Sequence, residues 1–151
     1  MHTNPEGPGT DRPRRPRARV LRSSWTPGAL PRPAAPVGPV LVSVTDFRPD
    51  RISDLPGVHR AARTLAARWT ELEGAYGMWL WTRQPGRRVG SVAVWRDEAA
   101  LRAFVGWPPH VAIMRAYHGR GSLASTTWQA ETYDPAAIWT HAHSILSRPR
   151  A

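Results

Sequence analysis

Residues 91–120 read SVAVWRDEAALRAFVGWPPHVAIMRAYHGR, and the order of signals in this stretch decides the fold. Small and β-branched residues lead up to Trp95, the pattern of a strand. Arg96-Asp97 is a capped turn, and a first helix follows from about Glu98. Trp107-Pro108-Pro109 interrupts that helix. Proline has no amide hydrogen to donate, so the pair stops one helix, while its fixed φ suits the opening turn of the next. A second short helix therefore runs from His110 to about Tyr117. The kinked pair brings Trp107, His110, Met114, Tyr117 and His118 close together behind a strand. Apolar packing atoms and titratable nitrogens mix here as nowhere else in the chain, which makes this the place to expect a site.

Upstream, residues 40–47 are short and β-branched, a strand. Asp54-Leu55-Pro56-Gly57 turns into a helix over 58–72, where Val58, Ala61, Ala62, Leu65, Trp69 and Leu72 form one apolar stripe. Gly74 closes it. Residues 76–82 form a second strand, Gln84-Pro85-Gly86-Arg87 a turn, and 88–95 a third strand in a hairpin with the second. Downstream, Gly119-Arg120-Gly121 breaks the helical pair and 123–133 forms a fourth strand. Asp134-Pro135 caps a last helix over 136–147, with Ile138, Ala142 and Ile145 as a modest apolar stripe. The order βαββαβ plus a C-terminal helix predicts an α+β, ferredoxin-like fold: an antiparallel four-stranded sheet with its two main helices on one face.

The strands also describe the other face. Tyr76, Met78 and Leu80 alternate with Trp79 and Trp81, and Ala93 and Trp95 alternate with Val92 and Val94, so both faces of the sheet are apolar. Two helices cover one. Exposed tryptophans at roughly 150 to 250 Å² each would leave a patch larger than monomers tolerate. A second sheet from an identical subunit is the simplest cover, giving a homodimer and a dimeric α/β barrel. The C-terminal helix folding across is the alternative.

Composition bounds the rest. A length of 151 residues allows one domain with a tail. There is no cysteine, so disulfides and thiolate metal sites are out. No apolar run approaches the ~18 to 20 residues that cross a bilayer, and no apolar core of a secretory signal precedes Val20-Leu21; a cytoplasmic protein is the default. The formal charge is +10, and all 21 basic residues are arginine. Residues 1–38 hold seven of them against Glu6 and Asp11, together with eight of the sixteen prolines. That composition predicts a disordered Pro/Arg-rich tail, with Trp25 and Leu30 as the positions at which it could dock, ahead of a domain over 39–151.

Over about residues 39–135 the chain resembles the dimeric α/β-barrel superfamily that includes the antibiotic-biosynthesis monooxygenases. It is most similar to a monooxygenase-like branch near spheroidene monooxygenase. The resemblance is carried by Ser91-Val92-Ala93-Val94-Trp95, Ala99-Ala100-Leu101-Arg102-Ala103-Phe104, Pro109-His110, Met114-Arg115, Arg120-Gly121 and Thr127-Trp128. It implies a pocket between sheet and helices in each subunit. Some members oxidise aromatic polyketides without metal or flavin, some bind haem, and others have different activities, so the resemblance leaves the cofactor open, with none and haem as the two candidates. The implied function is oxidation of a hydrophobic aromatic or polyene-like small molecule; binding without turnover is the alternative.

Among the residues, His110 is the first candidate. At the start of the second short helix, with Ile113, Met114 and Tyr117 on the same side, its imidazole can serve as general base near pH 7, as hydrogen-bond donor, or as axial haem ligand. His118 is the other candidate ligand, but two turns away, too far to share one ion, and beside a helix C-terminus that itself favours an imidazolium. Arg115 can clamp an anion through its planar fork. Trp79, Trp95, Trp107, Trp128, Met114 and Tyr117 are the candidate substrate-binding residues. His141 and His143 point apart on a helix. No Ser-His-Asp order, phosphate loop or dinucleotide turn is present. The βαββαβ order is shared with RNA-recognition motifs, yet the third strand lacks their two central aromatics, which argues against nucleic acid.

Overall fold

The computed structural model describes residues 13, 14 and 17–150. Two short strands, β1 (Arg19–Arg22) and β2 (Thr26–Pro27), precede four long ones: β3 (Val40–Pro49), β4 (Ala75–Gln84), β5 (Arg88–Trp95) and β6 (Gly121–Ala130). The helices are α1 (Leu55–Ala66), α2 (Glu98–Val105), α3 (Pro108–Tyr117) and α4 (Pro135–Leu146). The long strands lie in the order β4-β5-β3-β6, each neighbouring pair antiparallel. This is the ferredoxin-like α+β arrangement expected from the sequence. Asp97 and Asp134 cap α2 and α4, their carboxylates accepting the Ala100 and Ala137 amide hydrogens at 2.9 and 3.2 Å. A short polar side chain just before a proline or an apolar run supplies that acceptor.

Period-two alternation sorts the strands into two cores. Val40, Val42, Val44, Trp79, Trp81, Val92 and Val94 face α4, where Ile138, Ala142 and Leu146 complete the cluster. Met78, Ala93 and Trp95 face the other way, against Leu65, Trp69, Leu72, Ala100 and Phe104. The apolar stripe expected over 58–72 survives, although α1 stops at Ala66 and Trp69 enters through a separate 3₁₀ turn. Tyr76 departs from its expected face. An irregularity between Ala75 and Gly77 shifts the alternation by one, so Tyr76 lies with the α4-side core, its ring 5.0 Å from Tyr133.

The cover of the aromatic face also differs from the leading expectation. Leaving Trp79 and Trp81 in water would forgo roughly 4–6 kcal/mol apiece, as much as a small domain's whole net stability. Within one chain, α4 supplies the cover: Trp79 is 4% exposed and Trp81 2%. The reasoning that called for a second sheet on this face therefore no longer applies. The helix's inward stripe runs through Leu146, one position beyond the Ile145 read from the sequence. Past it, the chain is pinned to the sheet. Arg88 makes a buried forked pair with Asp46, with contacts of 2.6 to 3.2 Å. Arg83 and Arg88 each donate to the Arg148 carbonyl at 2.9 Å, and Arg150 reaches the Asp46 carbonyl and the Ser122 hydroxyl.

The N-terminal stretch is partly a strap on the domain. β1 pairs with β4 from Arg19↔Gln84 to Arg22↔Trp81, and β2 adds Thr26↔Met78 and Pro27↔Gly77. Gly28 and Leu30 donate to the Tyr76 and Ala75 carbonyls at 3.0 Å, and the Trp25 ring meets Trp79 edge-on at 4.6 Å. Hydrogen bonds to a free sheet edge need no apolar periodicity, which is why composition alone reads this stretch as disordered. Of the predicted tail, residues 1–12, 15 and 16 lie outside the described residues.

Candidate functional site

The first helical turn after the Pro-Pro pair is where the chemistry begins. α3 starts at Pro108, two residues earlier than the sequence suggests. Its inward face carries His110, Ile113 and Tyr117, each half-buried. Met114, at 41% exposure, and Arg115 face solvent. The His110 Nδ1–H donates to the Val105 carbonyl at 3.1 Å. A carbonyl can only accept, so this bond fixes the tautomer and leaves Nε2 as a free acceptor. Burial pushes the pKa of His110 below its ordinary value, opposed by the Val105 carbonyl. At neutral pH the group is an uncharged base.

Beneath the ring, the space is full. The His110 ring stands 4.3 Å from Phe104, and Phe104, Trp69 and Trp95 pack with centroids 5.0 to 5.5 Å apart. Trp95 is fully buried, its indole N–H donating to the Ser43 hydroxyl at 2.9 Å. The deep end of the expected pocket is thus occupied by the protein's own rings. A haem lying against Nε2 would need a flat apolar slot there. The Phe104–Trp69–Trp95 stack fills the space directly against the ring, so a haem does not fit on that side of it.

Farther along the same face, the covering is incomplete. Thr45 and Ser91 sit opposite each other on the two central strands, with hydroxyls 2.8 Å apart and the Ser91 amide donating to Thr45 Oγ1 at 3.0 Å. Both are half-exposed, as is Leu80, the next neighbour across β4. Residues in the middle of a sheet would be sealed if α1 and α3 closed over them. Val58, Ala61 and Ala62 on the inner side of α1 are half-exposed too. At the far end Tyr117 closes the gap: its ring lies 6.1 Å from Phe47, and a Cβ on Gly57 would stand 2.6 Å from its hydroxyl. The Thr45–Ser91 hydroxyl pair is thus only partly covered on the α1 and α3 side of the sheet, the side toward which the inner face of α3 carries His110.

The candidates named from sequence do not share one pocket. Trp95 is core, and Trp107 lies at the rim beneath the Arg68 guanidinium, 5.5 Å from its centroid. Trp79 and Trp128 belong to the α4 side; Trp128 stacks edge-on with His141 at 4.6 Å. His118 is exposed at the end of α3. Among the described residues no group of three or more His, Cys, Asp or Glu could hold a metal ion, and no helix is long and apolar enough to cross a membrane. Thr45, Ser91 and Leu80 were not singled out in the sequence. Hydroxyls in a strand look like ordinary β-formers, and only the register, which sets them opposite the Val42 and Val44 face, distinguishes them. Two open clefts lie elsewhere. One of about 380 Å³ is bounded by Arg22, Trp25, Trp79 and Pro135; the other, about 360 Å³, surrounds the Asp54–Arg120 pair.

The fold recurs in solved structures. The chain is similar to SnoaB, a cofactor-independent oxygenase from Streptomyces nogalater, at 16% identity and a TM-score of 0.55, over 65% of this chain and 99% of that one. It is similar to a dimeric ferredoxin-like protein of unknown function from Jannaschia sp. CCS1, at 15% identity and a TM-score of 0.54, over 60% of this chain and 99% of that one. A ferredoxin-fold protein from Listeria monocytogenes, related to antibiotic biosynthesis monooxygenases, matches at 13% identity and a TM-score of 0.50 over 58% of this chain. The chain spans about half the length of that protein, 54%. Identities this low establish the fold. No sequence family matches the chain, and no curated protein does.

Proposed function

We propose that the slot between α1, α3 and the centre of the sheet binds a flat, hydrophobic aromatic molecule and that the protein oxidises it in the manner of a monooxygenase. The observation that carries this reading is the half-exposed Thr45–Ser91 pair under an apolar roof. A ligand site is largely apolar with a few placed polar groups, and the centre of a sheet covered on both faces has no structural reason to stay open. The finer placement near spheroidene monooxygenase rests on the sequence motifs alone, and the cytoplasmic location on the default drawn from composition.

In this reading Thr45 and Ser91 orient a phenolic or ketonic oxygen, and His110 Nε2 takes a proton from an adjacent acidic carbon. The resulting carbanion is electron-rich enough to reduce dioxygen, the oxidant. Carbon–oxygen bond formation gives a hydroperoxide, and loss of water leaves a ketone: one CH₂ and one O₂ become one C=O and one H₂O. Met114 and Arg115 stand outside the slot; the latter serves as an anion clamp only at its mouth. The test is oxygen uptake with anthrone, a tricyclic ketone with an acidic CH₂, in parallel with its binding. Turnover that falls at least tenfold in His110→Gln while binding persists supports the reading. Binding without turnover in the wild type reduces the protein to a carrier, and absence of binding removes the site.

A further inference from the structure

On the α4 side of the sheet, the open cleft of about 380 Å³ lies between the N-terminal strap and the first turn of α4. Ser23, Ser24 and Trp25 line it from the strap, Pro135 and Ala136 from the helix, and Trp79 from the sheet. Arg22 and the two serines are its polar members; the rest of the lining is apolar. Ligand pockets run from about 300 to 1,000 Å³, so this volume suits a molecule of one or two rings.

Arg22 supplies the charge. It pairs in register with Trp81 and so shares the α4 side of the sheet. Its guanidinium carbon stands 5.1 Å from the Trp79 ring centroid and 4.8 Å from that of Trp139, two rings that meet edge-on at 5.5 Å. Attraction to the ring faces places the group without using any of its N–H donors. Among the described residues no carboxylate pairs with it. The other open cleft differs on this point, since its Arg120 is already paired with Asp54. At the start of α4, the Asp134 carboxylate accepts the Ala137 amide hydrogen. The cleft thus holds a positioned cation with its hydrogen-bond donors still to be matched.

We infer that this cleft is a second binding site, for a small flat aromatic carboxylate. The carboxylate meets the Arg22 fork, whose paired N–H groups match two oxygens at once. The ring lies between Trp25 and the first turn of α4, where an aromatic face finds aromatic walls. One guanidinium balances one negative charge, which favours a carboxylate over a phosphate ester carrying nearly two. Trp79 faces α4 while Thr45 and Ser91 point to the opposite side of the sheet, so the inference is independent of the proposed activity. An uncharged ketone such as anthrone leaves Arg22 unmatched and is not the ligand of this cleft.

The test is an NMR titration of the full, isotopically labelled chain with 2-naphthoate, with 2-naphthamide as the uncharged control. Naphthoate is expected to bind saturably, shifting the indole signals of Trp25, Trp79 and Trp139, and the amide to bind at least tenfold more weakly. Arg22→Gln is expected to weaken naphthoate binding at least tenfold. Ala136→Leu, which narrows the cleft and leaves Arg22 in place, is expected to do the same, the backbone spectrum showing that each variant is folded. Naphthoate binding should persist in saturating anthrone. The inference is overturned by absence of saturable binding, by equal affinity for acid and amide, or by unchanged affinity in either variant. Shifts at Thr45 and Ser91 that anthrone displaces would overturn it too. Anthrone reports on one side of the sheet and naphthoate on the other, so either reading can fail without the other.

Discussion

On one side of the sheet, Val44, Trp81 and Val92 are sealed under α4; on the other, Thr45, Leu80 and Ser91 of the same three strands stay half-exposed beneath α1 and α3. The neighbours alternate residue by residue, so backbone geometry is common to both. Side-chain volume makes the difference. Tryptophan and valine are buried against Ile138, Ala142 and Leu146, whereas threonine, serine and the small Ala61 and Ala62 stay partly exposed. The sealed face supplies stability, and the open face is where the proposed ligand would sit.

Substitutions that strike the sealed face should cost the most. Trp81→Ala removes a ring that is 2% exposed and its indole hydrogen bond to the Thr45 carbonyl; the expected loss is about 3–5 kcal/mol in denaturant unfolding. Asp46→Ala strands Arg88 in a buried setting and loosens Arg150. The expected loss is also about 3–5 kcal/mol, with α4 exchanging its amide hydrogens faster. On the open face, Leu80→Ala should cost less, about 1 kcal/mol, because the side chain is only half-buried; equal losses at Trp81 and Leu80 would dissolve the contrast between the faces.

The smallest effect sharpens the role of His110. Its pKa is lowered by burial, so below the ordinary value near 6.5 the unfolded chain binds the proton more readily than the folded one. The stability this group contributes is therefore present above about pH 6.5 and is lost as pH falls through the lower, folded pKa. Thermal unfolding across pH 7 to 4 should show a component of acid sensitivity that disappears in His110→Gln. An unchanged profile would mean that the imidazole is as well solvated folded as unfolded.

The fold was legible because its signals are local. The Pro-Pro break, the Asp97 and Asp134 caps and the strand alternation each act over a few residues, and together they specify βαββαβ order. What escaped depends on long-range placement. Nothing local in Ile138, Ala142 and Leu146 says that α4 folds across Trp79 and Trp81. Nothing in Arg19–Arg22 announces a strand, since its partner Gln84–Trp81 lies some sixty residues away. The candidate site was half legible: His110, Ile113 and Tyr117 share a helix face as their spacing requires. The floor beneath them needed the register of three strands, and the chosen tryptophans proved to lie on both sides of the sheet or inside its core.

The most direct test of the two-face account is an NMR titration of the full, isotopically labelled chain with anthrone, following backbone amides and tryptophan indole signals together. The account predicts saturable shifts concentrated at Thr45, Leu80, Ser91, His110 and Ile113, with the indole signals of Trp79, Trp81 and Trp139 unmoved. Shifts gathered instead around Arg22, Trp25, Trp79 and Trp139 would contradict it, moving the binding site to the α4 side and leaving the open slot without a ligand.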